Sequence, residues 1–216
     1  QVRRILWSRS GAHVATCSVE PQRLVVVGRA GGVQLEHPLA GPCFALAELP
    51  DGTLLAGDAS GAIRRFVVRD ARWAELPAWT TTGRFVTSLA VSPDGRHVAV
   101  GFFDNANAPQ TTGVPTVEVL DAATGQSART WKFPQIAIGD LRTVGWSADG
   151  ARIVATGSPQ RDRGRFLAMH IGWPGGAVAE SVLANDSIMD ALPHGRDGFV
   201  LAHADSSWSV VRPDTG

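Results

Sequence analysis

The sequence predicts an all-β fold built from about five copies of a four-stranded unit. Three observations support this prediction: a glycine turn recurs between apolar runs, apolar residues alternate along those runs, and no segment carries a sustained apolar stripe of helical period. The clearest copies of the turn are "TSLAVSPDGRHVAVG" at 87–101 and "RTVGWSADGARIVAT" at 142–156. The turn residues that the two copies share are Ser92/Ser147, Asp94/Asp149 and Gly95/Gly150.

Each of these two phrases is expected to form a β-hairpin. Asp-Gly between two apolar runs is a strong hairpin signal, because glycine adopts positive φ without a clash from a Cβ atom. In the first phrase Leu89 and Val91 precede the turn and Val98 and Val100 follow it, with the two-residue spacing of strands. A hairpin that recurs along a chain indicates a repeated structural unit.

Looser copies of the phrase extend the repeat over the whole chain. The five turn glycines, at spacings of 41, 43, 55 and 48 residues, are expected at Gly11, Gly52, Gly95, Gly150 and Gly198. Periods of about 40–50 residues are typical of four-stranded β-propeller blades. The sequence therefore predicts a single propeller region whose blades have the approximate bounds 1–41, 42–83, 84–138, 139–185 and 186–216, the last of them incomplete.

Composition narrows the classes of function. Lys plus Arg and Asp plus Glu each number 20, so the formal net charge is 0, which argues against broad electrostatic binding to nucleic acid or to an anionic membrane. Gly, Pro and polar residues interrupt the long uncharged stretches, so no membrane span is expected. Cys17 and Cys43 lie in apolar, strand-like surroundings and are expected to be free buried thiols, which favours a reducing cytoplasmic setting.

The sequence offers little that indicates catalysis or metal binding. The six histidines lack the spacing of metal ligands, and "GDASG" around Ser60 coincides with a turn between second and third strands. Asp94 and Asp149 precede turn glycines, where aspartate accepts hydrogen bonds from the turn backbone. His13 and His97 occupy equivalent repeat positions, which favours a structural role. No enzymatic activity, cofactor or metal is therefore expected.

Tryptophans fall into two groups. Trp7 and Trp146 end equivalent first strands and are expected to pack between blades. Trp79 and Trp173 flank loops and are better placed for surface recognition, where aromatic side chains often anchor a partner.

Two consecutive segments carry a resemblance to a known family. "LAVSPDGRHVAVG" followed by "VEVLDAATGQ" resembles the WD-repeat β-propellers, of the bacterial type with degenerate repeats. The Ser-Pro-Asp-Gly turn and the closing Asp121, Thr124 and Gly125 fit the repeat, whereas Leu120-Asp121 stands where the family has Trp-Asp. The resemblance implies a rigid protein-interaction scaffold, commonly seven-bladed and often the sensing or regulatory part of a larger multidomain bacterial protein.

The fifth unit ends with a strand predicted at 207–212 and lacks an outer strand. An unpaired strand there would be an open edge that pairs readily with another chain. We therefore expect the five units to belong to a larger, seven-bladed propeller or to pair with a separate segment.

Three functions remain open at this level. The sequence favours a non-catalytic module that binds a protein or peptide partner. Other domains of the same protein are included among such partners. One alternative is a propeller-type hydrolase or lactonase with a site in the central channel, and the other is a propeller that gates a catalytic domain outside this chain. The absence of a convergent set of histidines and carboxylates disfavours the hydrolase.

The predicted binding face carries the loops between second and third strands together with the loops between blades. Two of the former are long, "FFDNANAPQTTGVP" at 102–115 and "GSPQRDRGR" at 157–165, and loops on rigid scaffolds often carry function. Aromatic residues there are expected to anchor a partner, and the arginines of the second loop to steer an acidic group. The predicted contact residues are Trp79, Arg84, Phe103, Asp104, Asn105, Phe133, Arg161, Asp162 and Arg163.

Overall fold

The computed structural model describes residues 1–82, 85–102, 114–136, 139–160, 166–184 and 186–212. These residues form nineteen strands in five antiparallel sheets, and no helix occurs among them. Accordingly, the described residues contain no helix that could cross a membrane. In every sheet the strands follow one another in chain order, and four sheets have four strands while the fifth has three. The predicted all-β fold of repeated meander sheets is confirmed.

Residues 1–89 form one compact unit that contains the first two sheets. In each sheet every strand pairs with the strand that follows it in the chain, so short turns suffice to connect them. Sheet 1 holds β1 (Val2–Trp7), β2 (His13–Ser18), β3 (Arg23–Gly28) and β4 (Val33–Pro38). Sheet 2 holds β5 (Cys43–Glu48), β6 (Leu54–Asp58), β7 (Ala62–Arg69) and β8 (Arg72–Thr80).

Residues 90–216 form the second compact unit, so the boundary between the two units falls within the first strand of sheet 3. Sheet 3 holds β9 (Val86–Val91), β10 (His97–Phe102), β11 (Thr116–Asp121) and β12 (Ser127–Lys132). Sheet 4 holds β13 (Leu141–Trp146), β14 (Arg152–Gly157), β15 (Phe166–Gly172) and β16 (Val178–Ala184). Sheet 5 holds β17 (Ile188–His194), β18 (Gly198–His203) and β19 (Trp208–Val211).

The hairpin between first and second strands has the predicted construction. Gly95 and Gly150 have φ of 73° and 70°, in the left-handed region that glycine tolerates. In sheet 4 the Ser147 N–H donates to the Arg152 carbonyl at 2.9 Å, and the Arg152 N–H donates to Ser147 Oγ at 3.0 Å. Asp149 Oδ1 accepts from Ser147 Oγ at 2.7 Å, so the Ser-x-Asp-Gly sequence caps its own turn.

The prediction of Gly198 as the fifth turn glycine is wrong. Gly198 begins β18, and it is Gly195 that has positive φ, at 62°. A Cβ atom at Gly198 would lie 3.0 Å from the carbonyl oxygens of His194 and Val211, so close backbone approach explains this glycine. The Asp197-Gly198 dipeptide resembles the turn dipeptides of the other sheets in sequence but not in backbone conformation.

Apolar side chains form the core between neighbouring sheets. Within the first unit, Leu24 and Val26 of sheet 1 pack with Leu54 and Phe66 of sheet 2, all at most 1% exposed. Within the second unit one cluster joins sheets 3 and 4, and another joins sheets 4 and 5 around Phe199. Each sheet therefore obtains much of its stability from the sheets beside it.

The two cysteines form a disulfide, so the expectation of free thiols is wrong. Cys17 on β2 and Cys43 on β5 are both fully buried, and their Cα atoms lie 5.6 Å apart, within disulfide range. The two positions are 26 residues apart in sequence, and their proximity arises because β2 and β5 belong to packed neighbouring sheets. The argument for a reducing compartment from free thiols therefore loses its basis.

Candidate protein-interaction surface

The connections between second and third strands differ greatly in length. In sheet 2 only residues 59–61 join β6 to β7, and in sheet 5 residues 204–207 join β18 to β19. In sheet 3 residues 103–115 join β10 to β11, and in sheet 4 residues 158–165 join β14 to β15. Successive strands of an antiparallel sheet run in opposite directions. The connection from the second to the third strand and the connection from the fourth strand to the next sheet therefore lie at the same edge of a sheet. We call this the long-loop edge.

Most of the predicted contact residues lie outside the described residues. These are Arg84, Phe103, Asp104, Asn105, Arg161, Asp162 and Arg163. The structure does place the other two, Trp79 and Phe133, and it describes the segments from which the two long connections start.

Trp79 and Phe133 are both buried. Trp79, near the end of β8, is 5% exposed, and the Arg65 guanidinium carbon lies 4.6 Å above its ring centroid. Desolvation lowers the pKa of Arg65, and the charge of Asp51 opposes this shift. Phe133 is 2% exposed in the cluster between sheets 3 and 4, and its N–H donates to the Pro115 carbonyl at 3.0 Å. Neither ring is presented to solvent as an anchor.

Trp173, the second loop tryptophan, is only partly buried. It packs against the cluster between sheets 3 and 4, with its ring centroid 5.7 Å from that of Trp146 and 6.2 Å from that of Trp131. His97 contacts the Trp173 ring at 4.8 Å, and His13 contacts Trp73 in the same edge-on manner at 5.1 Å. The repeated His–Trp contact supports the structural role expected for His13 and His97.

A polar cluster that the sequence did not indicate lies at the base of the 158–165 connection. The Ser158 N–H donates to the Asp140 carbonyl at 3.0 Å, and Ser158 Oγ donates to the Asp140 carboxylate. Arg142 Nε lies 3.1 Å from both carboxylate oxygens of Asp140. Its side chain is 46% exposed, whereas that of Asp140 is 17% exposed. The cluster thus holds an accessible guanidinium group at the long-loop edge.

Two glycines allow a close approach of the backbone segments at this base. Gly139 has φ of 106°, and a Cβ atom there would lie 1.8 Å from the Ser158 carbonyl oxygen. Gly157 has φ of 147°, and a Cβ atom there would lie 2.5 Å from the Asp140 carbonyl oxygen. The two backbone segments approach so closely that a side chain fits at neither position, which explains why both residues are glycine.

The carboxylates near turns act as hydrogen-bond acceptors for the turns. Asp94 Oδ1 accepts from Ser92 Oγ at 2.6 Å and from the Arg96 N–H at 3.0 Å, and these bonds lower its pKa. Fully buried Asp58 accepts the Ser60 N–H at 2.8 Å and Ser60 Oγ at 2.5 Å. Ser60 thus donates to a turn carboxylate, which agrees with the turn expected at "GDASG".

Two buried histidines have serine partners. His170 is 3% exposed, its Nε2 lies 3.2 Å from Ser181 Oγ, and its Nδ1 has no hydrogen-bond partner among the described residues. Desolvation, helped by the charge of Arg152, lowers the pKa of His170 to about 4, so the ring is neutral near pH 7. His203 lies between Ser207 Oγ, at 3.0 Å, and Ser209 Oγ, at 2.9 Å.

No group of three or more histidines, cysteines or carboxylates that could hold a metal ion occurs in the described ranges. A cavity of about 400 Å³ lies at the opposite edge of sheets 1 and 2. Its lining includes Glu48, whose carboxylate accepts the Arg9 N–H at 2.6 Å and lies 3.9 Å from His13 Nε2. This carboxylate is therefore already engaged within the protein.

Comparison with known proteins gives a family match and a fold match. The model of the WD40 family, described as "WD domain, G-beta repeat", matches residues 75–106, which contain the Asp94-Gly95 hairpin. A chain in the "Crystal Structure of Mitotic Checkpoint Complex" superposes on 98% of this chain with a TM-score of 0.77 at 18% identity.

The chain has the fold of a WD40 β-propeller. It spans 60% of the length of the matched checkpoint-complex chain. No curated protein sequence matches it. Since 1123 chains of known structure match, the fold by itself identifies neither a function nor a partner.

Proposed function

We propose that this WD40 propeller is a non-catalytic interaction module that binds a protein partner at its long-loop edge. The observation that carries the proposal is that the connection between second and third strands is long in two consecutive sheets. Residues 103–115 connect the second and third strands of sheet 3 and residues 158–165 those of sheet 4, while the equivalent connection in sheet 2 has only residues 59–61. Since the strands below stay regular, the added length alters the surface without changing the scaffold.

The chemistry of the added segments supports a protein partner with an acidic group. The first segment combines Phe103 with Asp104 and Asn105, a mixture of an aromatic with hydrogen-bonding groups. The second contains Arg161 and Arg163, and the described Arg142, which pairs with Asp140 beside Ser158, has an exposed guanidinium group. Arginine is enriched at binding hot spots, and clustered guanidinium groups steer acidic partners during association. Arg84 and Asp162 complete the proposed contact surface.

The wider setting is also part of the proposal. A degenerate WD40 propeller fits the sensing or regulatory part of a larger bacterial protein, where it would gate or position a neighbouring domain. Among the described residues, the carboxylates of Asp58, Asp94 and Asp149 accept hydrogen bonds from their own turns, which supports a module without catalytic chemistry over a propeller-type hydrolase.

The test is to replace Phe103, Arg161 and Arg163 together by alanine in the full-length protein. A partner captured by the unmodified protein is identified, purified and titrated against both forms. We expect a native circular dichroism spectrum and weakened binding, because an anchor and two steering charges are lost. The matched control replaces Arg69 and Arg72, two exposed arginines at the opposite edge of sheet 2, and should leave affinity unchanged. Unchanged affinity in a folded triple variant would place the site elsewhere.

A further inference from the structure

The cavity between sheets 1 and 2, at the edge opposite the long-loop edge, has one buried carboxylate in a mostly apolar wall. Its volume of about 400 Å³ is that of a site for a small ligand group. The turn between β1 and β2 forms one side, and the turn between β5 and β6 together with the end of β7 forms the other. The apolar residues of the lining are Ala12, Leu49, Pro50, Val67 and Val68. We call this space the Glu48 cavity.

The Glu48 carboxylate is engaged through only one of its two oxygens. Oε2 accepts the Arg9 N–H at 2.6 Å. Oε1 accepts no hydrogen bond among the described residues, and it lies 3.9 Å from His13 Nε2. The Glu48 side chain is only 4% exposed. Because a buried carboxylate is costly unless it is paired and hydrogen-bonded, Oε1 is a favourable acceptor for a cationic group in the cavity.

Glu48 stands where two other sheets have tryptophan. It is the last residue of β5, as Trp7 is of β1 and Trp146 is of β13, and each precedes its turn glycine by four residues. Trp146 is buried next to His97 of the preceding sheet, with the ring centroids 6.4 Å apart. Glu48 lies next to His13, the equivalent histidine of sheet 1, but is smaller than tryptophan. The replacement of tryptophan by glutamate therefore accounts for both the space and the negative charge in its wall.

A second carboxylate lines the same cavity. Asp51 is exposed, and its Oδ1 accepts the Thr53 N–H at 2.9 Å, whereas its Oδ2 accepts no hydrogen bond among the described residues. The Arg9 side chain, which also lines the cavity, is exposed and forms no described ion pair. A guanidinium group pairs best with both oxygens of one carboxylate, whereas an ammonium group is a compact charge with three donors. Since one oxygen of Glu48 is already used, the arrangement favours an ammonium group.

We propose that the Glu48 cavity binds a primary alkylammonium group, with its charge at Glu48 Oε1 and its alkyl chain along the apolar wall. A free aliphatic amine and a lysine side chain of another protein share this chemistry. Either would pair the Glu48 charge and cover the wall that an indole ring covers between sheets 3 and 4. The site lies at the edge opposite the long-loop edge, so its test is independent of the interaction proposed there.

The experiment titrates butylamine into the chain near pH 7 and follows the backbone amide signals by NMR. Butylamine is protonated at this pH, as lysine is, and 1-butanol is the matched probe without the charge. We expect saturable shifts at the turns on both sides of the cavity, including Arg9 and Leu49, with 1-butanol binding at least about tenfold more weakly.

A third probe, Nα-acetyl-lysine methylamide, distinguishes the two sources of the ammonium group. Affinity equal to that of butylamine would support the proposal with a lysine side chain as the ligand. Binding of butylamine alone would support it with a free amine as the ligand, because the peptide groups would then be excluded from the cavity.

Three variants locate the binding, each checked for folding by circular dichroism. Glu48→Gln keeps an acceptor for the Arg9 N–H but removes the charge, so butylamine affinity should fall about tenfold or more. Glu48→Trp restores the residue of sheets 1 and 4 and should abolish binding. Glu36→Gln, at an exposed carboxylate on β4, is the control and should leave affinity unchanged. Absence of saturable shifts, equal binding of 1-butanol, or unchanged affinity in folded Glu48→Gln would overturn the proposal.

Discussion

Sheets 1 and 4 carry equivalent side chains, yet their packing differs. Trp146 in sheet 4 is 5% exposed and hydrogen-bonded, whereas Trp7 at the same position of sheet 1 is 61% exposed. The alternating pattern of a strand specifies which residues share a face, and the neighbouring sheet determines whether that face is buried. The comparison therefore distinguishes the side-chain pattern that each repeat specifies by its own sequence from the burial that it gains by packing against a neighbouring repeat.

The largest expected effect tests this comparison directly. Trp146→Ala should lower the free energy of unfolding by about 3–5 kcal/mol, because a large buried side chain is removed and a cavity remains. Trp7→Ala, the matched variant in sheet 1, should change it by less than about 0.5 kcal/mol, as surface substitutions do. Urea denaturation of the two variants provides the measurement, and equal losses would contradict the comparison.

A buried histidine distinguishes the interior of sheet 4 from that of sheet 1. His170 occupies the position at which sheet 1 has Val26, and both residues are buried. The pKa of His170 is about 4 in the folded protein and about 6.5 when unfolded, so the unfolded chain binds the extra proton between these values. Stability should therefore fall as the pH drops from about 6.5 to 4, by on the order of 2–3 kcal/mol.

Replacing His170 by valine, as in sheet 1, should remove this part of the pH dependence. Thermal denaturation at a series of pH values between pH 7 and pH 4 would measure how the melting temperature depends on pH. His194→Ala is the control, because His194 is exposed and its removal leaves the His170 contribution in place. A folded His170→Val variant whose melting temperature falls with pH as steeply as that of the unmodified chain would refute this assignment.

The covalent link between sheets 1 and 2 has an effect of comparable size. Replacing both Cys17 and Cys43 by alanine should destabilise the chain by about 2–4 kcal/mol, since the disulfide restricts the unfolded state. Reduction of the unmodified chain should lower its denaturation midpoint by a similar amount. Two titratable thiols in the native, oxidised protein would show that the bond is absent.

The smallest effect concerns the hairpin turns. Sheet 4 uses Ser147 with Asp149, whereas sheet 1 has Ser8 with Ser10, whose hydroxyl groups are 3.3 Å apart. Asp149→Ser should cost about 1 kcal/mol, the usual net value of a hydrogen bond. Ser10→Asp should stabilise sheet 1 by a smaller amount, because the carboxylates of Glu48 and Asp51 line the same cavity. Denaturation midpoints that shift in the opposite directions would contradict this account of the turns.

Local patterns explain the parts of the fold that the sequence predicts. Four of the five turn glycines, including Gly95 and Gly150, have positive φ, and the family match falls on one of these hairpins. A hairpin depends on residues close together in sequence, so its signal survives in a single chain. Gly198 misled the prediction because its Asp-Gly dipeptide lies at the end of the turn, where Gly198 is already the first residue of β18.

Long-range contacts explain what the sequence could not predict. The Cys17–Cys43 bond, the burial of Trp79 under Arg65 and the Asp140–Ser158 contact all depend on which segments pack together. A tryptophan beside a loop has the same local signature whether its ring faces solvent or a neighbouring strand. The long-loop edge itself followed from repeat spacing, while its contact residues at 103–105 and 161–163 remain a prediction.

The central claim is that the equivalent faces of sheets 1 and 4 differ in burial because sheet 3 packs on the face of sheet 4. Residue-resolved oxidation of the seven tryptophans in the unmodified, monomeric chain tests it in one experiment. The account predicts rapid oxidation of Trp7 and Trp208, which are 61% and 72% exposed, and protection of Trp79, Trp131 and Trp146, which are at most 8% exposed. Protection of Trp7 equal to that of Trp146 in the monomer would contradict it.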